Sequence, residues 1–540
     1  MATLADALPT STSDTVYTQG EWPDLRRKYR EQYYWYSGGE WKKEQEGKRD
    51  SSGDTALQFP LQVNPIAKVC RIHRAVMLGM QPDIIDRSPI STIVNKATLT
   101  PVDRENAQVL EQTIARIWYD SNGPSIQQEA CLLMQYYGGH VYHMTWEPWN
   151  KNLKWRVGIR SYATPEVFFP VQFDPTTYEI LECYIGYMID ADFARSYYHV
   201  KVPDGTKQTL YLEHWDRENY TITVHGIVPS IKDEDRNGLR HEYQGENKWG
   251  VVPIVYNPHE RDGRFWGRSL VDDDSPLIGL SREWNARLAD KGDVMQESSP
   301  LIWASNARNA NWSVVPVRIN EKLTINILDM GSSQPVSPQA EPKLGIINPQ
   351  GLPTSVANYV DELQDEVRSQ ADVAAVAYGD DDVSGGRITG PVTAYRMWPT
   401  MQHTMSERAF AHVALTRIAK IVVKIVLERK KSNKYKEWST TAPEIDDWAH
   451  DMSFATQWRP MIPIEQSQMI DTLNARLKEG GISLISYLEQ LSVQDPEKEA
   501  DRIWEDRERL AKIEAEAKAE AMANMGGMFG NNGGSDGLSS

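Results

Sequence analysis

The chain has 540 residues and carries 58 Lys and Arg against 75 Asp and Glu, a formal net charge of −17 at pH 7. Such an acidic chain does not hold nucleic acid by general electrostatic attraction, because phosphate binding needs Lys and Arg. Its 18 Trp and 24 Tyr argue against a disordered protein, and its length predicts two to four sub-domains.

Cysteine usage and hydropathy favour a reducing compartment and no membrane anchor. Cys70, Cys131 and Cys183 are far apart and form no CxxC pair, which argues against a disulfide framework or a structural zinc site. Residues 1–14 lack the basic and apolar regions of a signal peptide. The most apolar stretch, residues 418–427, is too short to span a bilayer and contains two lysines.

The first half of the chain predicts helices followed by strands. We expect residues 1–20 to be a flexible arm and the aromatic-rich segment that follows to pack on the rest of the protein. Helical periodicity covers residues 64–80, 102–121 and 125–138. A short strand is predicted at 83–85, between the first two helices. After residue 139 the period changes to two, with strands predicted at 140–146, 153–159, 166–173, 179–189, 208–215, 220–228 and 251–256. This order is typical of an α+β domain.

Two long helices flank a β-rich insertion in the next part. The first is predicted over residues 269–299. Residues 300–352 are rich in Pro and Asn, with short strands predicted at 301–304, 313–319 and 323–328. The second helix, 353–378, has one apolar stripe formed by Val356, Val360, Leu363 and Val367.

A glycine-bearing acidic loop, residues 379–390, follows and should be exposed. The next helix, 391–431, should be kinked where Pro399 interrupts it. Long helices with apolar stripes need partners to cover them. Two interpretations stay open: an internal helical hairpin of an enzyme core, or a pair repeated around a ring with the loops facing a central hole. Further helices are predicted at 464–479, 483–492 and 496–524, before a flexible Gly-rich tail at 526–540.

Motifs for catalysis, metal binding and cofactor binding are weak. His140 and His143 are three residues apart on a predicted strand and therefore point to opposite faces. Two Asp runs, 272–274 and 380–382, could suggest a metal-dependent nuclease, but neither has a supporting His or Lys. The glycines of the loop lack the Gly-Lys-Ser/Thr of a phosphate loop. We therefore predict no catalytic residue, no metal and no cofactor, and a structural or conduit role.

The order of the segments is more informative than any single motif. Five features precede the insertion in this order. They are an aromatic N-terminal segment, the helix start Asn64-Pro65, the strand around Thr164 to Val171, the strand Gly250 to Val255, and Gly267-Arg268-Ser269 before a helix. The segment from Gln370 to Gly379 then leads to the glycine loop and the long helix. In this order, residues 25–510 resemble the portal proteins of tailed bacteriophages.

The resemblance implies a portal fold with wing, stem, clip and crown regions. Carried over, the wing is 21–268 with a return at 391–462, the stem helices are 269–299 and 353–378, the clip is 300–352, the tunnel loop is 379–390 and the crown is 463–525. It implies four sets of site residues. They are the DNA-facing loop residues Asp380, Asp381, Asp382, Ser384, Arg387 and Thr389; basic channel rings at Lys291 and Arg368; an intersubunit stripe of Val356, Val360, Leu363 and Val367; and the clip docking residues Asn311, Trp312, Arg318 and Lys322. For the basic residues, ordinary intersubunit salt bridges are an equal alternative.

As a function, the resemblance implies a ring, usually of twelve subunits, at one capsid vertex. Double-stranded DNA is packaged through it by the terminase large subunit and later ejected. The partners implied are a head-to-tail adaptor or tail protein, the major capsid protein and a scaffolding protein, in the virion and in the host cytoplasm during assembly. The alternatives are a phage-encoded nuclease using the Asp runs and a monomeric or dimeric scaffold of similar fold.

Overall fold

The structure is a computed structural model. It describes residues 17, 20–38, 63–79, 90–94, 101–148, 155–162, 165–229, 243–272, 274–297, 301–305, 327–329, 343–347, 354–378, 395–431, 445–458, 461, 463–491, 493 and 496–529. The chain forms two compact units, Met1–Met461 and Ile462–Ser540. The predicted strands at 83–85 and 313–319 and most of the predicted N-terminal arm lie outside the described residues.

The first unit contains groups of helices and groups of strands. Its helices are α1 Glu21–Ser37, α2 Pro65–Leu78, α3 Pro101–Asp120, α4 Gly123–Tyr137, α5 Ala191–Tyr197, α6 Pro276–Glu297, α7 Thr354–Gln370, the single turn α8 Ala375–Tyr378 and α9 Trp398–Lys431. Its strands are β1 Ile90–Val94, β2 Gly139–Pro148, β3 Trp155–Tyr162, β4 Phe168–Phe173, β5 Ile180–Asp190, β6 Gln208–Asp216, β7 Asn219–Val224, β8 Gln244–Glu246, β9 Ile254–Pro258, β10 Leu301–Ser305, β11 Ile327–Asp329, β12 Lys343–Ile347 and β13 Phe454–Trp458. The expected mixture of helices and sheets is confirmed.

The strands form four sheets. Strands β4 to β8 form an antiparallel meander in chain order, and β2 pairs antiparallel with both β3 and β9. Strand β1 pairs with β13. In the fourth sheet β10 is central, parallel to β11 and antiparallel to β12. The meander follows from the alternating pattern between turn residues, whereas the partners of β1 and β9 come from distant parts of the chain.

Helix α9 is the centre of the largest apolar core. Buried side chains along it, including Leu415, Ile418, Val422 and Ile425, pack against α3, β2 and β3. Its 34 residues span about 50 Å at roughly 1.5 Å per residue. The helix expected from residue 391 is interrupted at Met397, where a turn separates the helical residues Tyr395 and Arg396 from α9, two residues before Pro399. The helix begins at Trp398, so Pro399 lies in its first turn, where a missing N–H leaves no intrahelical bond unmade.

Helices α6 and α7 pack on each other and on α2. The second predicted stem helix is shorter than expected, because α7 ends at Gln370 and Asp372 adopts a left-handed conformation with φ 52°. The N–H of Val373 donates to Arg368 O at 3.0 Å, and that of Asp372 donates to Ser369 O at 3.2 Å. This is the Schellman pattern that ends a helix. The chain therefore turns before the single-turn helix α8.

The aromatic residues of α1 pack on the first unit, as expected. Trp22 lies against Leu210 and Leu212 of β6, whereas Tyr29 and Trp35 join a core with α2 and α4. The side chain of Gln32 donates a 3.0 Å hydrogen bond to the Ser269 hydroxyl. The N-terminal helix is thus part of the core of the first unit.

The second unit contains α10 Pro463–Lys478, α11 Leu484–Gln490 and α12 Pro496–Phe529. Helix α10 ends at Lys478 and is followed by Gly480, which has φ 72°. The Tyr487 hydroxyl of α11 donates to the Asn474 side chain at 2.7 Å. The last helix ends three residues after Gly526, where the tail was expected to begin. In the part of the chain that the structure describes, no helix has the length and apolar character needed to cross a membrane.

Candidate functional site

The apolar stripe of α7 is covered by the same chain. Val360, Leu363 and Val367 are 4 %, 7 % and 1 % exposed, and they share one core with Leu277 and Trp284 of α6. The prediction that a neighbouring subunit covers this stripe is therefore wrong for these three residues. The spacing correctly indicated a buried face, but α6 and α2 bury it. The side chain of Val356 lies outside the described residues.

The two predicted basic rings have different surroundings. The guanidinium of Arg368 forms an ion pair with Asp365 on the same helix, and its side chain is only 13 % exposed. It also lies 5.7 Å from the centre of the Tyr378 ring. Arg368 therefore has a charged partner within its own chain, and its place in a ring of charge on the channel stays a prediction. Lys291 is half-buried on α6, and its place in a channel stays a prediction.

The two predicted loop sites fall outside the described residues. They are the tunnel-loop set Asp380, Asp381, Asp382, Ser384, Arg387 and Thr389, and the clip docking set Asn311, Trp312, Arg318 and Lys322. The structure does describe both ends of segment 379–394. On one side, Lys68 Nζ donates to Tyr378 O at 2.9 Å and lies 3.5 Å from the centre of the Tyr378 ring.

On the other side, Thr400 fixes the start of α9. Its hydroxyl donates to Asp372 O at 2.9 Å and accepts from the Ala374 N–H at 2.8 Å. The side chain of Thr400 is fully buried. The residue before segment 379–394 and the start of α9 that follows it are thus both tied to the folded unit.

Next to this anchor, a buried polar cluster surrounds Glu407 of α9. Its carboxylate Oε1 accepts hydrogen bonds from Gln135 Nε2 at 2.6 Å and from His259 Nε2 at 2.7 Å. His403 Nε2 lies 3.4 Å from the same oxygen. The His73 ring is 4.7 Å from the His403 ring, centre to centre. The cluster joins α2, α4, the end of β9 and α9.

Each histidine of the cluster is oriented by a second partner. His73 Nε2–H donates to Ala371 O at 2.8 Å, and His259 Nδ1–H donates to Arg268 O at 2.9 Å. His403 Nδ1 faces the Asp372 carboxylate at 3.4 Å. Since backbone carbonyls only accept, these bonds define which ring nitrogens carry protons.

Burial and neighbouring charges set the protonation of the cluster. Burial lowers the pKa of His73 to about 4, so this imidazole is neutral near pH 7. Burial raises the pKa of the Glu407 carboxyl, but the contacts with His259 and His403 outweigh it and hold that pKa well below its usual range. Although burial lowers the pKa of His403, the carboxylates of Glu407 and Asp372 raise it overall. Glu407 is therefore a buried anion stabilised by imidazoles.

The residues considered earlier for metal chemistry are engaged elsewhere. His140 and His143 point to opposite faces of β2, as predicted, but both are buried, at 0 % and 2 % exposure. They contact the Ser161 hydroxyl at 2.6 Å and the Tyr162 hydroxyl at 3.1 Å. Of the first Asp run, Asp272 forms an ion pair with Lys28.

Among the described residues, one group of His, Cys, Asp or Glu side chains could hold a metal ion, namely His73, His403 and Glu407. Sequence reasoning missed this group. Its sequence signal is the pair His403 and Glu407, which lie four residues apart on one face of a helix. The signal was incomplete because His73 comes from a helix more than 300 residues away. The expectation of no metal site stays a prediction.

Comparison with known proteins decides the family. The profile of the family described as "Phage portal protein, SPP1 Gp6-like" matches residues 20–512. The chain belongs to this family of phage portal proteins. No curated protein matches the chain. A phage portal protein is a component of the capsid at the head-to-tail connection, and the family is structural rather than enzymatic.

Membership also clarifies the chemistry of the site. The family is structural, and the buried cluster around Glu407 joins α2, α4, the end of β9 and α9. In this portal protein α2, α4 and the end of β9, which the cluster connects to α9, all precede the predicted tunnel loop in the chain. The three cysteines, which sequence reasoning left unpaired, are free and buried.

Proposed function

We propose that this portal protein closes into a ring of twelve copies at one capsid vertex. Double-stranded DNA passes through the central channel when the terminase large subunit packages it and again when it is ejected. The adaptor or tail protein docks on the ring afterwards, and the major capsid protein and a scaffolding protein surround it. The observation that carries this proposal is the family match over residues 20–512.

Helices α6 and α7 form the stem in this proposal, and the sheet of β10, β11 and β12 belongs to the clip. The two helices share a buried core, as Leu277 and Leu363 illustrate. Leu301 at the start of the insertion pairs with Ile347 at its end. The insertion therefore begins and ends at one place, beside the ends of both helices. This arrangement supports a β-rich tip on a helical pair.

The exposed face of α7 supports an acidic channel wall. Asp361, Glu362, Asp365 and Glu366 are all exposed, on the side opposite the buried stripe. Carboxylates on a channel wall repel the phosphates of the duplex, so that DNA slides without sticking. In this proposal Asp380, Asp381 and Asp382 extend the same lining into the tunnel loop, and Arg387 contributes sparse positive charge.

The intersubunit contact is proposed on the outer face of α9. Trp398, Met405 and Val413 are 52 %, 44 % and 45 % exposed, and Met405 lies two helical turns after Trp398 on the same face. Large exposed apolar groups in a row mark an interaction surface. A ring of identical copies brings the same helices side by side through a repeated head-to-tail interface, which makes a second copy of this chain the natural partner.

Ring closure is tested by the native mass and by electron microscopy of the purified chain. We expect particles of many copies, with a central hole in top views. Particles that all have the 61.4 kDa mass of one chain, or rings without a hole, would contradict the proposal. The variant Met405→Glu should lower the ring yield and leave the melting temperature of the chain unchanged. Gln172→Glu, which adds the same charge on the exposed surface of β4, is the matched control.

The tunnel loop is tested separately by shortening residues 380–389. Its two ends are anchored by Tyr378 and Thr400, so ring assembly should be preserved, whereas the amount of packaged or retained DNA should change. Loss of the rings would mean that the loop is a structural joint. Replacing Asp380, Asp381 and Asp382 together by Ala tests the nuclease alternative, because only an enzyme would lose a metal-dependent activity.

A further inference from the structure

The cluster around Glu407 contains more unsatisfied polar atoms than a closed hydrogen-bond network should. Three of them, His73 Nδ1, His403 Nε2 and Glu407 Oε2, are buried without a hydrogen-bond partner, and His403 Nε2 has only the 3.4 Å ion-pair contact with Glu407 Oε1. One ligand atom from each of these residues lies within 4.8 Å of those from the other two. Buried polar atoms are nearly always satisfied. Unpartnered atoms on three neighbouring residues whose ligand atoms lie this close together point to a cation between them.

We propose that His73, His403 and Glu407 bind one divalent transition-metal ion, with Zn²⁺ as the preferred occupant. Two imidazole nitrogens and one carboxylate oxygen are a ligand set that suits zinc, and water completes the coordination where three protein ligands are present. Softer thiolate ligands are absent from this set, and a set rich in oxygen, as Ca²⁺ or Mg²⁺ would need, is also absent. The proposal is independent of the ring and the channel.

The secondary structure brings the three ligands together. His403 and Glu407 are four residues apart on α9 and therefore share one face of that helix. His73 lies on α2, whose C-terminal part is tied to α9 by the Arg408 guanidinium, which donates to Met77 O at 2.9 Å. These contacts do not involve the metal. The site is thus formed by two helices that are already held in place.

The remaining polar atoms of the three ligands have partners that orient them for a metal. His73 Nε2–H donates to Ala371 O, which leaves the Nδ1 lone pair free for an ion. His403 Nδ1 faces the Asp372 carboxylate, and a carboxylate behind a histidine is a frequent outer partner in metal sites. Glu407 Oε1 is already bound by Gln135 and His259, so Oε2 is the oxygen available to an ion.

Burial indicates a structural role for the ion. His73 is fully buried and Glu407 is 1 % exposed, whereas the His403 side chain is 17 % exposed and offers a route for entry. A bound ion would join α2 to α9 directly beside the base of the segment that begins after Tyr378. Metal binding should therefore stabilise the first unit of the protein.

The test uses the purified full-length chain, stripped with a chelator and dialysed. We expect Zn²⁺ to bind by calorimetry with one site per chain and to raise the melting temperature by several degrees. Chelator should reverse this rise, and Co²⁺ should give a visible absorption band. His403→Ala should abolish binding and the thermal shift. Metal that fails to bind the wild-type chain, or that binds His403→Ala as tightly, would overturn the proposal.

Two further variants exclude a general effect on folding. Asp372→Asn changes a side chain that is 59 % exposed, so the metal-free chain should melt as the wild type does. Its Zn²⁺ affinity should still fall roughly 10- to 100-fold, because an outer partner of a ligand is lost. His412→Asn is the matched control. His412 lies on the same helix but bonds the Thr456 hydroxyl at 2.8 Å, so this variant should bind Zn²⁺ unchanged.

Discussion

The burial of the α7 stripe within one chain leads to a prediction for Leu363→Ala. Leu363 is 7 % exposed and shares a core with Leu277 and Trp284 of α6. Truncating a buried leucine removes its contacts and leaves a cavity, at a cost of about 2–5 kcal/mol. Since Leu363 keeps a small exposed fraction, we expect about 3 kcal/mol. This loss should appear in the folded chain itself, whatever its state of assembly.

Thermal and denaturant unfolding of Leu363→Ala should be measured together with ring yield. We expect a lower melting temperature and a lower denaturant midpoint, accompanied by a proportionate loss of rings. Glu362→Ala, one position earlier on the exposed side of the same helix, should stay within about 0.5 kcal/mol of the wild type. Val360→Asp should be worse than Leu363→Ala, because an unpaired carboxylate would be buried.

One result would refute this reasoning. If Leu363→Ala melted as the wild type does but accumulated as unassembled chains, the stripe would pack on a neighbouring subunit after all. For Met405→Glu on α9 we expect a different result from that for Leu363→Ala. This variant should assemble poorly while its melting temperature stays that of the wild type. The two variants therefore separate folding within one chain from contact between chains.

Three further predictions concern single residues elsewhere in the first unit. Thr400→Val should lower the free energy of unfolding by about 1–3 kcal/mol, because the backbone groups of the α7–α8 turn lose their buried partner. Thr404→Val loses only a hydrogen bond within its own helix and should therefore lower the melting temperature less. Burial lowers the pKa of His140 to about 3, below about 6.5 for an unfolded histidine, so its stabilising contribution is present above pH 6.5 and lost as the pH falls toward 3. The loss of folding free energy amounts to about 2 kcal/mol at pH 5. His140→Gln should therefore show a smaller fall in melting temperature between pH 7 and pH 5 than the wild type does. Gly267→Ala would place a Cβ 2.0 Å from Gly138 O, and the resulting backbone shift should cost at least about 1–3 kcal/mol in denaturant unfolding.

Hydrophobic periodicity predicted which faces are buried but not what buries them. The 4-3-4 spacing of Val356, Val360, Leu363 and Val367 correctly indicated one buried side of α7. An amphipathic pattern has the same form whether α6 of the same chain or a helix of another chain covers it. The covering residue Trp284 belongs to a separate helix, and its position follows from tertiary packing that no local window contains.

The ends of helices were harder to predict than their existence. Asp372 was expected within a continuous helix, yet it takes the left-handed conformation that glycine usually occupies at a helix end. The hydroxyl of Thr400, 28 residues later, accepts from the freed backbone and donates to it. Pro399 lies in the first turn of α9, two residues after the break at Met397, and a proline fits a first helical turn as well as a kink. Local sequence does not separate these cases because the deciding partner is distant.

The acidic face of α7 is not explained by the stability of the single chain. Asp361 with Asp365, and Glu362 with Glu366, are like-charge pairs four residues apart, and each such pair destabilises a helix by about 0.2–0.5 kcal/mol. Only Asp365 gains a cation within the described helix, through Arg368. Burial of Val360, Leu363 and Val367 outweighs this cost, so the helix folds despite its charge. Because the carboxylates weaken the free helix, their role is proposed to lie outside the single chain, in the channel wall proposed above, which would face the phosphates of DNA.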